Sequence, residues 1–164
     1  MEKTEEVAIF GGGCFWCLDA AYKLKPGVTE VTSGYAGGST QNPTYQQISQ
    51  KNTGHAEVVK IDYDPARITL DQLLAFFWKI HDPTTMDRQG PDVGTQYRSA
   101  IFYVDDTQKK LALASKAKWE KKLIDSSKEI VTEIVPAETF YAAEDYHQKY
   151  VERTGRACHL PGRV

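Results

Sequence analysis

Cys14 follows three consecutive glycines, Gly11-Gly12-Gly13, and is followed at once by Phe15-Trp16-Cys17. A glycine run between an apolar stretch, Val7-Ala8-Ile9-Phe10, and a helix-forming one lets the backbone approach a ligand closely. It also sets Cys14 at the N-terminus of the following helix, where free N–H groups and the dipole stabilise a thiolate and lower the thiol pKa. The bland alternative is a buried cysteine in a tight turn, a common fate of free Cys. Three glycines ahead of the thiol favour the reactive reading. Phe15 and Trp16 point about 100° apart on a helix, so they do not face one core equally well. At a helix start they can line a pocket, and a thiol between aromatic walls suits a methyl or thioether group.

Glu57 is the second candidate. In a regular strand it shares a face with Val59, Ile61 and Tyr63, while Val58, Lys60, Asp62 and Asp64 take the other, mostly polar face. It is then the one carboxylate on the apolar face. Burial raises a carboxyl pKa and leaves a protonated acid able to donate at neutral pH. A surface Glu at a frayed strand start is the alternative, and parity alone leaves both open. Asp87, Asp92 and Tyr97 lie in one long polar loop and Tyr45 in another. Singly they are ordinary surface residues; together they supply carboxylates and hydroxyls to a polar end of a pocket.

The elements that must position these groups read as follows. Strands are expected over residues 7–10, 28–35, 56–63, 99–104 and 129–135. Helices are expected from Cys14 to about Lys25, from about Thr69 to Ile80, from about Thr107 to Leu123, and from Tyr141 to Glu152. Thr69 and Gln72 form a capping box, with Leu70, Leu73, Leu74 and Phe77 behind it at helical spacing. Residues 39–54 are turn-rich, with one helical turn after Pro43. The loop from His81 to Tyr97 is long for a passive connection. The order βαββαβ gives an α+β fold, the ferredoxin-like split βαβ arrangement of a sheet with helices on one face. A C-terminal αβ extension and an irregular tail from about residue 153 complete it. With no repeat or linker, residues 1–164 are read as one domain.

Composition narrows the chemistry. Hydrophobic residues make up 41% and charged residues 26%, and three Trp, nine Tyr and six Phe demand a packed core. Twenty basic against 22 acidic residues leave a net charge of −2, which excludes a global field for nucleic acid or anionic lipid. The lysines at 109, 110, 116, 118, 121 and 122 are interspersed with acidic residues and read as a solvated helix face. No apolar run reaches the length of a membrane span. The acidic, polar N-terminus is the reverse of a secretory signal, so a reducing, cytoplasmic setting is expected. Three cysteines argue against a simple disulfide framework and for catalytic or metal-binding thiols.

Taken together the motifs resemble the peptide methionine sulfoxide reductase A family. The resemblance rests on Gly13-Cys14-Phe15-Trp16, Gly34-Tyr35-Ala36-Gly37-Gly38, Asn42-Pro43-Thr44-Tyr45, Thr53-Gly54-His55-Ala56-Glu57 and Gly94-Thr95-Gln96-Tyr97-Arg98-Ser99, and runs from about Ile9 to His147. It implies that Cys14 attacks the sulfoxide sulfur, that Phe15 and Trp16 hold the ε-methyl, and that Glu57 protonates the departing oxygen. Tyr45 and Tyr97 would hydrogen-bond that oxygen, and Asp92 would position a water. The implied substrates are the S epimer of methionine sulfoxide, in oxidised proteins and as the free amino acid. The implied reductant is thioredoxin, with no metal or organic cofactor and no need for more than a monomer. Many relatives carry Gly at the position of Cys17 and keep resolving cysteines in a glycine-rich tail; here Cys17 and one tail cysteine, Cys158, are both present. Two other classes compete. A general Cys-x-x-Cys thiol–disulfide oxidoreductase also sets its cysteines at a helix N-terminus, although Phe-Trp between them crowds a protein disulfide. A zinc module would use Cys14, Cys17, Cys158 and His159, the last two adjacent and so poorly spaced as ligands.

Overall fold

The computed structural model describes residues 5–50 and 53–155. In chain order the elements are β1 (Glu6–Gly11), α1 (Phe15–Lys23), β2 (Val28–Ala36), α2 (Tyr45–Ser49), β3 (Ala56–Tyr63) and α3 (Leu70–Ile80). Then come β4 (Arg88–Gln89), β5 (Asp92–Val93), a 3-10 turn at Thr95–Tyr97, β6 (Ala100–Tyr103), α4 (Asp106–Lys122), β7 (Glu133–Pro136) and β8 (Tyr141–Ala142). A second 3-10 turn, Asp145–His147, leads into α5 (Tyr150–Thr154).

Six strands form one sheet in the order β7-β6-β1-β3-β2-β8, while β4 and β5 pair separately. Every pairing in the large sheet is antiparallel except β6 with β7. The fold is thus a mixed α/β one with a central, mostly antiparallel sheet. Strand parity decides its two faces. Ala8, Phe10, Val59, Ile61 and Tyr63 turn toward Leu18, Tyr22, Leu73, Leu74, Phe77 and Ala112 of α1, α3 and α4, and all are buried. Ile9, Val58, Ala100 and Phe102 turn the other way, onto a smaller cluster that Ala137 and Phe140 cover.

The helix α3 is laid down as its sequence predicts. Thr69 Oγ1 accepts from Gln72 N at 3.1 Å and Gln72 Oε1 accepts from Thr69 N at 2.9 Å. Its apolar stripe, Leu70, Leu73, Leu74 and Phe77, is buried, each such side chain contributing roughly 1.5–3 kcal/mol. At its end His81 is buried. Its Nδ1 lies 2.5 Å from Phe77 O, so Nε2 accepts from Ser99 Oγ at 2.7 Å. The same ring packs under the strand-to-helix turn, where a Cβ on Gly12 would sit 3.0 Å from His81 Cγ.

Two elements differ from the sequence expectation. The helix expected over Tyr141–Glu152 is instead a short strand, a 3-10 turn and a five-residue helix. Tyr141 and Ala142 pair with Tyr35 and Gly34 on the open edge of β2, and a Cβ at Gly34 would collide with Phe140 and the carbonyl of Tyr141. Edge pairing therefore outcompetes local helix propensity. Lys149 then adopts φ 55°, held by its N–H to Asp19 Oδ2 at 2.8 Å, and restarts the chain as α5. The strand expected over residues 129–135 begins only at Glu133, where it can run parallel to β6.

Candidate active site

β1 leads into Cys14. After its last residue, Gly11, the chain turns through Gly13 at φ 96°, a left-handed conformation that glycine adopts without cost. Cys14 is the N-cap of α1, and its carbonyl accepts from Cys17 N at 3.2 Å and Leu18 N at 3.4 Å. The thiol is free and half-buried.

Glu57 arrives from β3, opposite Tyr35 in the register of β2. It is buried on the same face as Val59, Ile61 and Tyr63, as parity predicts, and its Oε1 accepts from Phe15 N at 3.2 Å. Burial pushes its pKa up to about 8; the Phe15 N–H opposes that shift and the charge of Asp92 adds to it. At neutral pH the group is a carboxylic acid.

The thiol departs from the sequence expectation. Burial first, and then the Glu57 charge, push the Cys14 pKa up to about 12. The N–H groups of Trp16 and Cys17 do pull it down, as a helix N-terminus should, and Asp92 pushes the other way. Cys14 makes no side-chain capping hydrogen bond, so the pull of the helix start is too weak to win. The resting pair is a neutral thiol beside a neutral acid.

Aromatic rings surround this pair. Phe15 is fully buried, with its ring centroid 5.6 Å from Tyr35, 6.4 Å from Tyr45 and 5.4 Å from His147. Trp16 is half-buried, stacks on Tyr150 at 4.0 Å, and donates from Nε1 to His147 Nδ1 at 3.0 Å. The two neighbours on the helix thus join one aromatic cluster, because His147 and Tyr45 bridge them.

The polar end comes from three other segments. Tyr45 opens α2 behind the Thr44–Gln47 capping box. Asp92 lies on β5 and Tyr97 in the adjoining 3-10 turn. Burial raises the Tyr97 pKa first, and the charges of Glu57, Tyr45, Asp92 and Cys14 raise it further. The long loop thus brings Asp92 and Tyr97 within electrostatic reach of Glu57 and Cys14. Asp87, at φ 50°, lines a separate small cavity with Met86 and Arg98.

Sequence reading missed Glu144, His147 and Tyr150. They recur every third residue, the one signal that could have found them, but that spacing was absorbed into the expected helix. The third cysteine of the set, Cys158, lies outside the described residues, as does His159. Cys17 is buried and disulfide-bonded, whereas Cys14 is not, so the bond present is not Cys14–Cys17. Among the described residues no group of three or more His, Cys, Asp or Glu is placed to hold a metal ion. No helix among them is long and apolar enough to cross a membrane.

Residues 6–161 match the family described as peptide methionine sulfoxide reductase. A relative from Acinetobacter baumannii (strain AYE), named peptide methionine sulfoxide reductase MsrA, is 54% identical over 146 residues, covering 89% of this chain and 82% of its own. The solved methionine sulfoxide reductase A of Corynebacterium diphtheriae superposes with a TM-score of 0.88 at 36% identity, covering 98% of this chain and 84% of that one. Mxr1 of Saccharomyces cerevisiae, solved in complex with Trx2, is similar with a TM-score of 0.66 at 28% identity, covering 98% and 93%.

Proposed function

The chain belongs to the peptide methionine sulfoxide reductase family, and we propose that its Cys14 and Glu57 reduce the S epimer of methionine sulfoxide to methionine, in proteins and as the free amino acid. The observation that carries this reading is the meeting of a free thiol with a buried, neutral carboxylic acid inside aromatic walls. A sulfoxide sulfur is a poor electrophile until its oxygen gains a proton, so thiol and acid must act together. Phe15 and Trp16 receive the ε-methyl, Tyr45 and Tyr97 hydrogen-bond the oxygen, and Asp92 orients a water there.

The protons balance within the pair. Glu57 gives its proton to the oxygen, and the carboxylate left behind takes the proton of Cys14 as the sulfur attacks. A thiol held near 12 is then deprotonated only when a substrate is there to use it. Sulfur–sulfur attack passes the oxygen to Cys14, methionine leaves, and Cys14 becomes a sulfenic acid. A second thiol condenses with it, releasing water and forming a disulfide.

For that second thiol we assign Cys17, three residues on, with Cys158 then receiving the disulfide for delivery to a thioredoxin. The place of Cys17 on the first turn of α1, its N–H bonded to the Cys14 carbonyl at 3.2 Å, supports this order. The complex of Mxr1 with Trx2 supports a thioredoxin as reductant, which fits a reducing, cytoplasmic setting. The β6-β1-β3-β2 portion, read with α1 and α3, fits the ferredoxin-like split βαβ pattern within one reductase domain over residues 1–164.

An assay with separated S and R epimers of a methionine sulfoxide peptide, with dithiothreitol as reductant, tests the reading. Turnover of the S epimer alone is expected; turnover of neither overturns it.

A further inference from the structure

We propose that Glu144 is a positioning residue for the sulfoxide step, its carboxylate fixing where the Tyr45 phenol stands in the site. The inference rests on the reductase reading above and goes beyond the residues that reading assigns.

Glu144 sits at the start of the Asp145–His147 turn, far in sequence from what it holds. Its Oε1 accepts from the Tyr35 hydroxyl at 3.0 Å. Its Oε2 accepts from the backbone N–H of Tyr45 at 3.1 Å and from the Tyr146 hydroxyl at 3.3 Å. One side chain thus ties β2, the first residue of α2 and the turn that carries His147. Burial alone would raise its pKa, but the Tyr45 N–H, its own backbone N–H, the Tyr35 hydroxyl and His147 together offset this and hold it below the usual carboxylate range.

The arrangement matters because α2 has only five residues and cannot hold itself in place. Its anchors are the Thr44–Gln47 box, the buried Ile48 and Glu144. Of these, Glu144 is the one that bonds the Tyr45 backbone, on the residue whose ring packs against Phe15, Trp16 and His147. The other arm of the carboxylate grips Tyr35, whose ring packs on Phe15 and whose backbone pairs with Glu57. The phenol that meets the sulfoxide oxygen is thereby referenced to the strand that carries the acid. A carboxylate is needed for this. It offers two acceptor oxygens, whereas an amide offers one and would turn its NH2 toward a donor.

The test uses the full-length, prereduced enzyme and an S-sulfoxide peptide, under single-turnover conditions for the rate and steady state for KM. Compared are wild type, Glu144→Gln, Tyr45→Phe and the double variant. A contact that tightens in the transition state is lost from kcat rather than KM. Glu144→Gln is expected to lower kcat roughly ten- to a hundredfold with KM within about twofold, the scale of an ångström-sized misplacement. In the Tyr45→Phe background the same substitution should cost less than about threefold, because there is no phenol left to position. Equal losses in both backgrounds, or a loss confined to KM or to melting temperature, overturn the proposal. If Glu144→Gln does not fold, Tyr35→Phe, which releases only Oε1, must show the same background dependence at smaller amplitude or the proposal fails. Failure of the wild type on the S epimer would instead overturn the reductase reading and is visible separately.

Discussion

The backbone N–H of Phe15 donates to Oε1 of Glu57 at 3.2 Å, which fastens the acid to the residue next to Cys14. Any shift of the first turn of α1 carries acid and nucleophile together. The same bond spends one of the unpaired N–H groups of the helix start on the carboxyl, which leaves less of the helix terminus to act on the thiol. Burial leads in keeping Glu57 and Cys14 both neutral at rest, with pKa values of about 8 and about 12, and at Glu57 it does so against the pull of the Phe15 N–H.

Cys14→Ser should abolish reduction of methionine sulfoxide with thioredoxin or with dithiothreitol. Cys14 is the thiol set beside the Glu57 carboxyl, and a hydroxyl in its place is a far weaker nucleophile toward sulfur. Product formation measured by chromatography checks this; substantial turnover by the variant would sink the assignment.

Glu57→Gln should separate stability from activity. The amide still accepts from Phe15 N but has no proton to give, so the single-turnover sulfoxide step should slow by roughly two to four orders of magnitude. Stability should move the other way. The folded pKa of Glu57 lies above its ordinary value of 4.5, so ionisation opposes folding, and the penalty grows as pH rises from 4.5 to about 8. The variant should therefore be more stable than wild type at pH 8, by on the order of a few kcal/mol, and gain little at pH 4.5. A thermal melt at both values decides it. An active variant would make Glu57 structural.

The pH profile follows from the same group. The proposed step uses the acid form, which is present below about 8 and is lost above it. For prereduced enzyme, kcat/KM should stay level through neutral pH and fall about tenfold per unit on the alkaline side. Cys14, held near 12, adds no limb in that range. An unchanged alkaline limb in whatever activity Glu57→Gln retains would show that another group supplies the proton.

How much of this was legible in the sequence differs by cause. The capping box of α3 and the parity of β3 are local patterns, and both Leu73 and Glu57 sit on the faces those patterns assign. The fate of Tyr141–Ala142 is decided by the open edge of β2, a partner more than a hundred residues away, which no local pattern announces. Glu144, His147 and Tyr150 were hidden for the same reason. The direction of the Cys14 shift could not be read either. Helix position favours a low pKa, but burial and the Glu57 charge exist only once β3 lies against the turn.

The last prediction concerns how Cys14 is restored. Cys14 and Cys17 hold the N-cap and third positions of α1, joined by the Cys17 N to Cys14 O bond at 3.2 Å. Residues three apart on a helix stand about 5–6 Å apart, within disulfide reach, so closure needs little chain movement. Cys17 is buried, which keeps a disulfide formed there from meeting a protein reductant directly. A further thiol must then carry it outward, and Cys158 is the remaining one in the chain. Cys17→Ser should therefore reduce one sulfoxide per enzyme and lose most thioredoxin-dependent turnover. Cys158→Ser should still form the Cys14–Cys17 bond after one equivalent of substrate, yet recycle poorly with thioredoxin. Peptide mass mapping of the disulfide trapped after a single turnover reads this order directly. Should Cys158→Ser instead block the first disulfide while Cys17→Ser recycles normally, the tail cysteine resolves the sulfenic acid and Cys17 has no part in the relay.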